Sequence, residues 1–138
     1  AVLMKCWLLI LLILFSQSTL SADFAVIVSA TSGIDVLSSE RIRDIFLKKR
    51  RFAQGKRLVP VNLLGSKPPR LAFERRILEM DRLNLQQYWT ASHFKGVTPP
   101  ATQASLASVK LFIEKVDGAI GYLPIEMVDD RVKVIYEF

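Results

Sequence analysis

The sequence predicts an α/β domain in which helices cover a largely buried sheet. Three observations carry that expectation. Phe24-Ala25-Val26-Ile27-Val28 is a short apolar run rich in β-branched residues, flanked by polar and small ones. Leu106, Val109, Ile113 and Val116 recur at helical spacing. Val132, Val134 and Tyr136 alternate with Arg131, Lys133 and Glu137, as in a closing strand with one buried face.

The chain has 138 residues, room for one domain. Its hydrophobic residues are unevenly placed. Met4-Lys5, read as the start, precedes an apolar run from Cys6 to Phe15, and Ser16 to Ala22 are polar or small. A basic start, about ten apolar residues and a small-residue exit make the layout of a secretory signal peptide, too short to cross a bilayer at about 20 residues. Residues 1–22 are therefore expected to be cleaved after Ala22, and 23–138 to form a single periplasmic domain. An uncleaved N-terminal anchor is the less favoured alternative, because the polar stretch after Phe15 interrupts the apolar segment early. Cys6 opens the run rather than following it, so it is not the lipid-modified cysteine of a lipoprotein.

Past residue 22 there is no cysteine, and His93 is the only histidine. Disulfides, a zinc finger, a cysteine nucleophile and a His-rich metal site are excluded there. Export also argues against a nucleic-acid partner, despite 19 Lys+Arg against 13 Asp+Glu. The sequence offers no paired carboxylates in a plausible pocket and no nucleophile with its base, so an enzyme is not expected, and no cofactor is implied.

After the Phe24 strand, Ala30-Thr31-Ser32-Gly33 breaks the chain. Ser38 then suits a helix N-cap, Glu40 sits near the positive helix end, and Leu37 with Ile42 has the spacing of a hydrophobic staple. Ile42, Ile45 and Phe46 make the buried stripe. Lys48-Lys49-Arg50-Arg51 and Lys56-Arg57 form a basic turn into a second strand, Leu58 to Asn62. These six cations read either as a solvated loop finishing a helix C-terminus or as a contact surface for anionic lipid or a partner's acidic face.

Leu63 to Arg70 joins that strand to a helix carrying Leu71, Phe73, Ile77 and Leu78. A strand, a Gly65-Ser66 turn and a helix start together make an anion-binding geometry, although Pro68 and Pro69 each lack an N–H. Proline there is equally good helix initiation. If an oxyanion binds, Ser66, Lys67 and Arg70 must hold it. Leu83 to Phe94 reads as a helix whose Tyr88, Trp89, His93 and Phe94 are expected in the core rather than in a ligand cage. Gly96 to Pro100 is a loop, and Asp117-Gly118 turns the chain into a strand at Ala119 to Leu123.

Gly118-Ala119-Ile120-Gly121-Tyr122 followed by Val128 to Val134, the helix Leu37 to Leu47, and Tyr88-Trp89 through Phe94-Lys95-Gly96 occur in that order along the chain. Together they resemble the corresponding segments of phosphate-type periplasmic substrate-binding proteins. The resemblance implies a single lobe, the second, of the type II periplasmic-binding-protein fold, a mixed sheet flanked by helices. It also aligns Arg70 with the arginine of the family's Ser-Gly-Thr-Arg anion turn, with Lys67, Pro68 and Pro69 on the preceding three positions or, with a small gap, Gly65-Ser66 standing for the Gly-Ser pair. The implied function is capture of phosphate or a similar oxyanion for a membrane transporter or sensor component, with weak affinity as a monomer. A homodimer or the membrane partner could supply the missing wall. The alternative is a ligand-free periplasmic accessory module that contacts an envelope partner through its basic surface.

Overall fold

The computed structural model describes residues 22–138; the expected signal peptide therefore lies almost wholly outside the described residues. Five strands form one mixed sheet: β1 (Phe24–Ser29), β4 (Val59–Leu63), β5 (Ala101–Gln103), β6 (Ala119–Pro124) and β7 (Val132–Glu137), in the order β5-β4-β6-β1-β7. β4 runs parallel to β5 and β6, whereas β1 lies antiparallel between β6 and β7. The predicted α/β architecture with a mixed, covered sheet is what the structure contains.

Local signals account for most elements. Helix α1 (Ser39–Phe46) starts where Ser38 Oγ accepts from the Arg41 N–H at 3.3 Å, and it buries Ile42, Ile45 and Phe46. Each such side chain removed from water contributes about 1.5–3 kcal/mol. Asp81 and Ser105 cap α3 (Arg82–His93) and α4 (Leu106–Lys115) in the same way. α2 (Pro68–Phe73) opens on two prolines and widens into a π-helical turn, Glu74–Leu78.

Alternation along β6 assigns the two faces. Gly121 lies under α4, where an added Cβ would meet Ile113 and Val109 together with Val61 of β4. Tyr122 faces the other way, stacked on Phe73 at 4.2 Å and near Phe46 and Phe138. Helices thus cover both faces, which is why β1 is apolar at every position from Ala25 to Val28 and fully buried there.

Four expectations need correction. A β-bulge where β7 pairs with Val26 and Ile27 shifts the register, so Val132, Ile135 and Phe138 are buried, while Val134 and Tyr136 are only half-buried. Leu71 points outward on α2, 36% exposed. His93 is exposed and Phe94 is 86% exposed, because α3 ends there and the chain turns away; only Tyr88 and Trp89 pack on the core. Finally, the basic turn contains a small hairpin, β2 (Phe52–Ala53) with β3 (Lys56–Arg57). Gln54 and Gly55 both have positive φ, as a two-residue hairpin turn requires.

Candidate functional site

β4 delivers the chain to the carboxyl edge of its parallel strands, the side on which open α/β sheets generally bind ligands. Its last residues are already committed. The Tyr122 hydroxyl donates to Asn62 Oδ1 at 3.1 Å and accepts from the Leu63 N–H at 3.2 Å. Burial pushes the Tyr122 phenol up to about 12, outweighing the Leu63 N–H bond and the Arg70 and Arg82 charges that favour the ionised form. It is a structural donor, not a titrating group near neutral pH.

Leu64 to Lys67 then leave the sheet as an exposed loop. Lys67 is the N-cap residue of α2, but its side chain makes no capping bond; its ammonium donates to the Ala104 carbonyl at 3.3 Å, tying this loop to the chain leaving β5. Ser66 is exposed at the same edge. Arg70, one turn into the helix, folds back: Nη1 donates to the Leu63 carbonyl at 2.9 Å and Nε to Glu74 Oε1 at 2.8 Å. Glu74 is buried, with its side chain 4% exposed, and its second oxygen lies 3.1 Å from Arg82 Nε. Arg82 also donates to the Gly65 carbonyl at 2.5 Å.

Arg70, Glu74 and Arg82 therefore form one network under the loop, two guanidinium groups sharing one carboxylate. With Lys67 the edge carries three cations against one anion. Arg70, Glu74 and Arg82 also line a concavity of about 420 Å³, closed on its apolar side by Leu83, Leu85 and Trp89. Ser66 and Lys67 do not line it. The structure thus brings Arg70 into a pocket and leaves the other two candidates on the rim of the sheet. Glu74 and Arg82 were missed from the sequence, although the i, i+4 spacing of Arg70 and Glu74 is a readable pairing signal.

The second set of candidates surrounds the β2–β3 hairpin. Lys56 turns inward, to the Ser32 carbonyl at 2.8 Å and to Asp117 at 2.7 Å. Lys49 lies 5.8 Å from the centre of the Tyr88 ring. Lys48, Arg50, Arg51 and Arg57 surround a small cavity of about 160 Å³. Among the described residues, no group of three or more His, Cys, Asp or Glu side chains could hold a metal ion, and no helix is long and apolar enough to cross a membrane.

No protein-family model and no curated protein matches the sequence. Solved structures do match. A phosphate ABC transporter substrate-binding protein from Clostridium perfringens, solved with bound phosphate, superimposes with a TM-score of 0.66 at 19% identity, over 83% of this chain and 44% of that one. An ABC-type phosphate transport receptor from Vibrio cholerae gives 0.65 at 19% identity, over 83% and 45%. PstS from Borrelia burgdorferi gives 0.62 at 9%, over 83% and 46%.

The fold is that of one half of a phosphate receptor. The chain spans less than half the length of each of these proteins, as the expected single lobe requires. At such identities the likeness is one of backbone architecture, and the neighbours are transport-binding proteins by description.

Proposed function

We propose that this chain is an exported receptor lobe that binds phosphate or a similar oxyanion and presents it to a membrane transporter or sensor component. Ser66, Lys67 and Arg70 are its binding residues. The supporting observation is the excess of cations at the carboxyl edge of the parallel strands, where Arg70 is held by the Leu63 carbonyl at the lip of a concavity.

The same geometry argues for weak affinity. Two of Arg70's donors are already engaged, Glu74 offsets its charge, and Pro68 and Pro69 supply no N–H. Without a facing wall the anion stays partly in water, where attraction at 4 Å is about 1 kcal/mol rather than the roughly 4 of a shielded pair. A second copy or the membrane partner would supply that wall. Calorimetry with inorganic phosphate at low salt tests the reading: a dissociation constant on the order of 1 mM is expected, weakened by Lys67→Ala and by Arg70→Ala. No heat at millimolar phosphate sinks it.

A second reading, an accessory module that docks through its basic surface, is favoured by one observation: among the described residues Lys48, Arg50, Arg51 and Arg57 have no carboxylate within salt-bridge range. It predicts salt-sensitive capture of an envelope partner that survives Arg70→Ala and is lost on charge reversal at Lys48, Lys49, Arg50 and Arg51.

A further inference from the structure

We propose that the cavity between the end of α1 and the β2–β3 hairpin is a second anion site, built for a compact phosphate group such as a diphosphate or the phosphate monoester of a lipid headgroup. Lys48, Arg50, Arg51 and Arg57 converge on it, no Asp or Glu lines it, and its floor is apolar, from Ile45, Leu58 and Pro60. Gly96, Val97 and Thr98 complete its lining. Its volume of about 160 Å³ suits a group of a few heavy atoms, since one water takes about 30 Å³ of liquid.

The site lies at the opposite end of β4 from Ser66 and Arg70. Leu58 and Pro60 mark the strand's amino end, and the five residues Val59–Leu63 separate the two places by about 3.3 Å each. A helix C-terminus would ordinarily repel an anion. Here that pole is occupied, because the carbonyls of Arg43, Asp44, Ile45 and Leu47 all accept hydrogen bonds, the last from Tyr88 at 2.7 Å. Favourable placement of cations after a helix would explain one or two of them facing solvent. It does not explain four around a single hollow.

The arrangement is held at a cost. Lys48 has a left-handed backbone, φ 61°, and lines the cavity. Burial, and then the Arg51 and Arg57 charges, hold its ammonium below the usual lysine range. Cations kept together without a carboxylate form a preorganised receptor for an anion, which relieves their mutual repulsion when it enters. The inference draws its charges from the basic surface of the second reading. Partner capture can nevertheless fail while phosphate binding holds, and the reverse.

The test is an amide NMR titration of the protein with sodium pyrophosphate at low salt, against sodium chloride at equal ionic strength. Pyrophosphate should shift residues 48–58 and 96–98 saturably. The double variant Arg51→Gln, Arg57→Gln, whose sites are exposed and whose fold should survive, should bind at least about tenfold more weakly, and Arg70→Ala should leave these shifts unchanged. Vesicles of phosphatidylcholine with phosphatidic acid, but not phosphatidylcholine alone, should compete with pyrophosphate if the phosphate comes from lipid; saturable pyrophosphate binding with no competition from either vesicle assigns the site to a free anion. Shifts reproduced by chloride, shifts confined to residues 64–70, or a double variant with native affinity would overturn the proposal.

Discussion

Arg70 and Glu74 lie one helical turn apart and are joined by a 2.8 Å ion pair whose carboxylate is almost wholly buried. The residue best placed to hold an anion thus already holds one, supplied by its own chain. Glu74 is itself held from the other side by Arg82, so the three residues act as a unit, and changing any one alters the charge offered at the sheet edge.

Glu74→Gln should uncouple stability from binding. It keeps the shape but removes the charge on which two guanidinium groups rest, so urea unfolding should show a loss of about 3 kcal/mol. The released Arg70 should bind phosphate several-fold more tightly by calorimetry, as removal of a neighbouring carboxylate frees the cation for another partner. A variant that is destabilised yet binds phosphate no better would show that Arg70 does not face the ligand.

Tyr122 should leave a signature at high pH. Its folded-state value is about 12 against an ordinary 10.0, so between those values the unfolded chain loses the proton while the folded chain keeps it. Stability from this group is fully present below pH 10 and falls as pH rises; a gap of two units corresponds to about 2.7 kcal/mol. Tyr122→Phe should cost about 1–3 kcal/mol at neutral pH, because Asn62 and the Leu63 N–H lose a buried partner. The difference between native and variant proteins should then shrink between pH 10 and 12. Parallel denaturation curves across that range would refute the assignment.

How far the sequence discloses this molecule depends on whether a feature is local. Ser38, Ile42, Ile45 and Phe46 specify α1 because a cap and a stripe are properties of eight consecutive residues. Ile135 could not be found in that way, because the bulge that buries it belongs to the pairing of two strands over 100 positions apart in sequence. Leu71 and Phe94 failed for a related reason: periodicity says which residues share a face, not whether anything covers it. At the sheet edge the structure places Arg70 in a concavity, and the Glu74 spacing was present to be read. Arg82 belongs to another helix, and only the folding of α3 against the loop at Gly65 brings it there.

Gly118 and Gly121 should differ in what they tolerate. Gly118 has φ +78°, and a Cβ there would run into the Arg57 carbonyl oxygen, which is backbone and cannot step aside. Gly118→Ala should cost about 3 kcal/mol or more. Gly121 has an ordinary backbone, and its added Cβ would lie 2.7 Å from Ile113 Cδ1 and 3.0 Å from Val61 Cγ1, both side-chain tips. Gly121→Ala should therefore cost less, about 1–3 kcal/mol. Thermal unfolding of the two variants gives the order, and a reversed order would contradict the packing of α4 on β6.

Lys48 should be a site where the native residue is not the most stable one. A side chain at φ 61° strains the backbone, and Lys48→Gly should remove that strain, raising stability by about 1 kcal/mol. Lys48→Gln keeps the strain but removes a cation that burial and then Arg51 and Arg57 disfavour, so it should stabilise by less. The pH dependence follows from the lowered lysine value: its charge is a liability at every pH below the folded-state value, and the liability disappears as pH rises toward the ordinary 10.5 of the unfolded chain. The advantage of Lys48→Gln over the native protein should accordingly be constant near neutrality and fade in alkali, read from urea midpoints at several pH values. An advantage that grows with pH would mean that the ammonium is stabilised in the fold, contrary to a cluster of cations lacking a counter-charge.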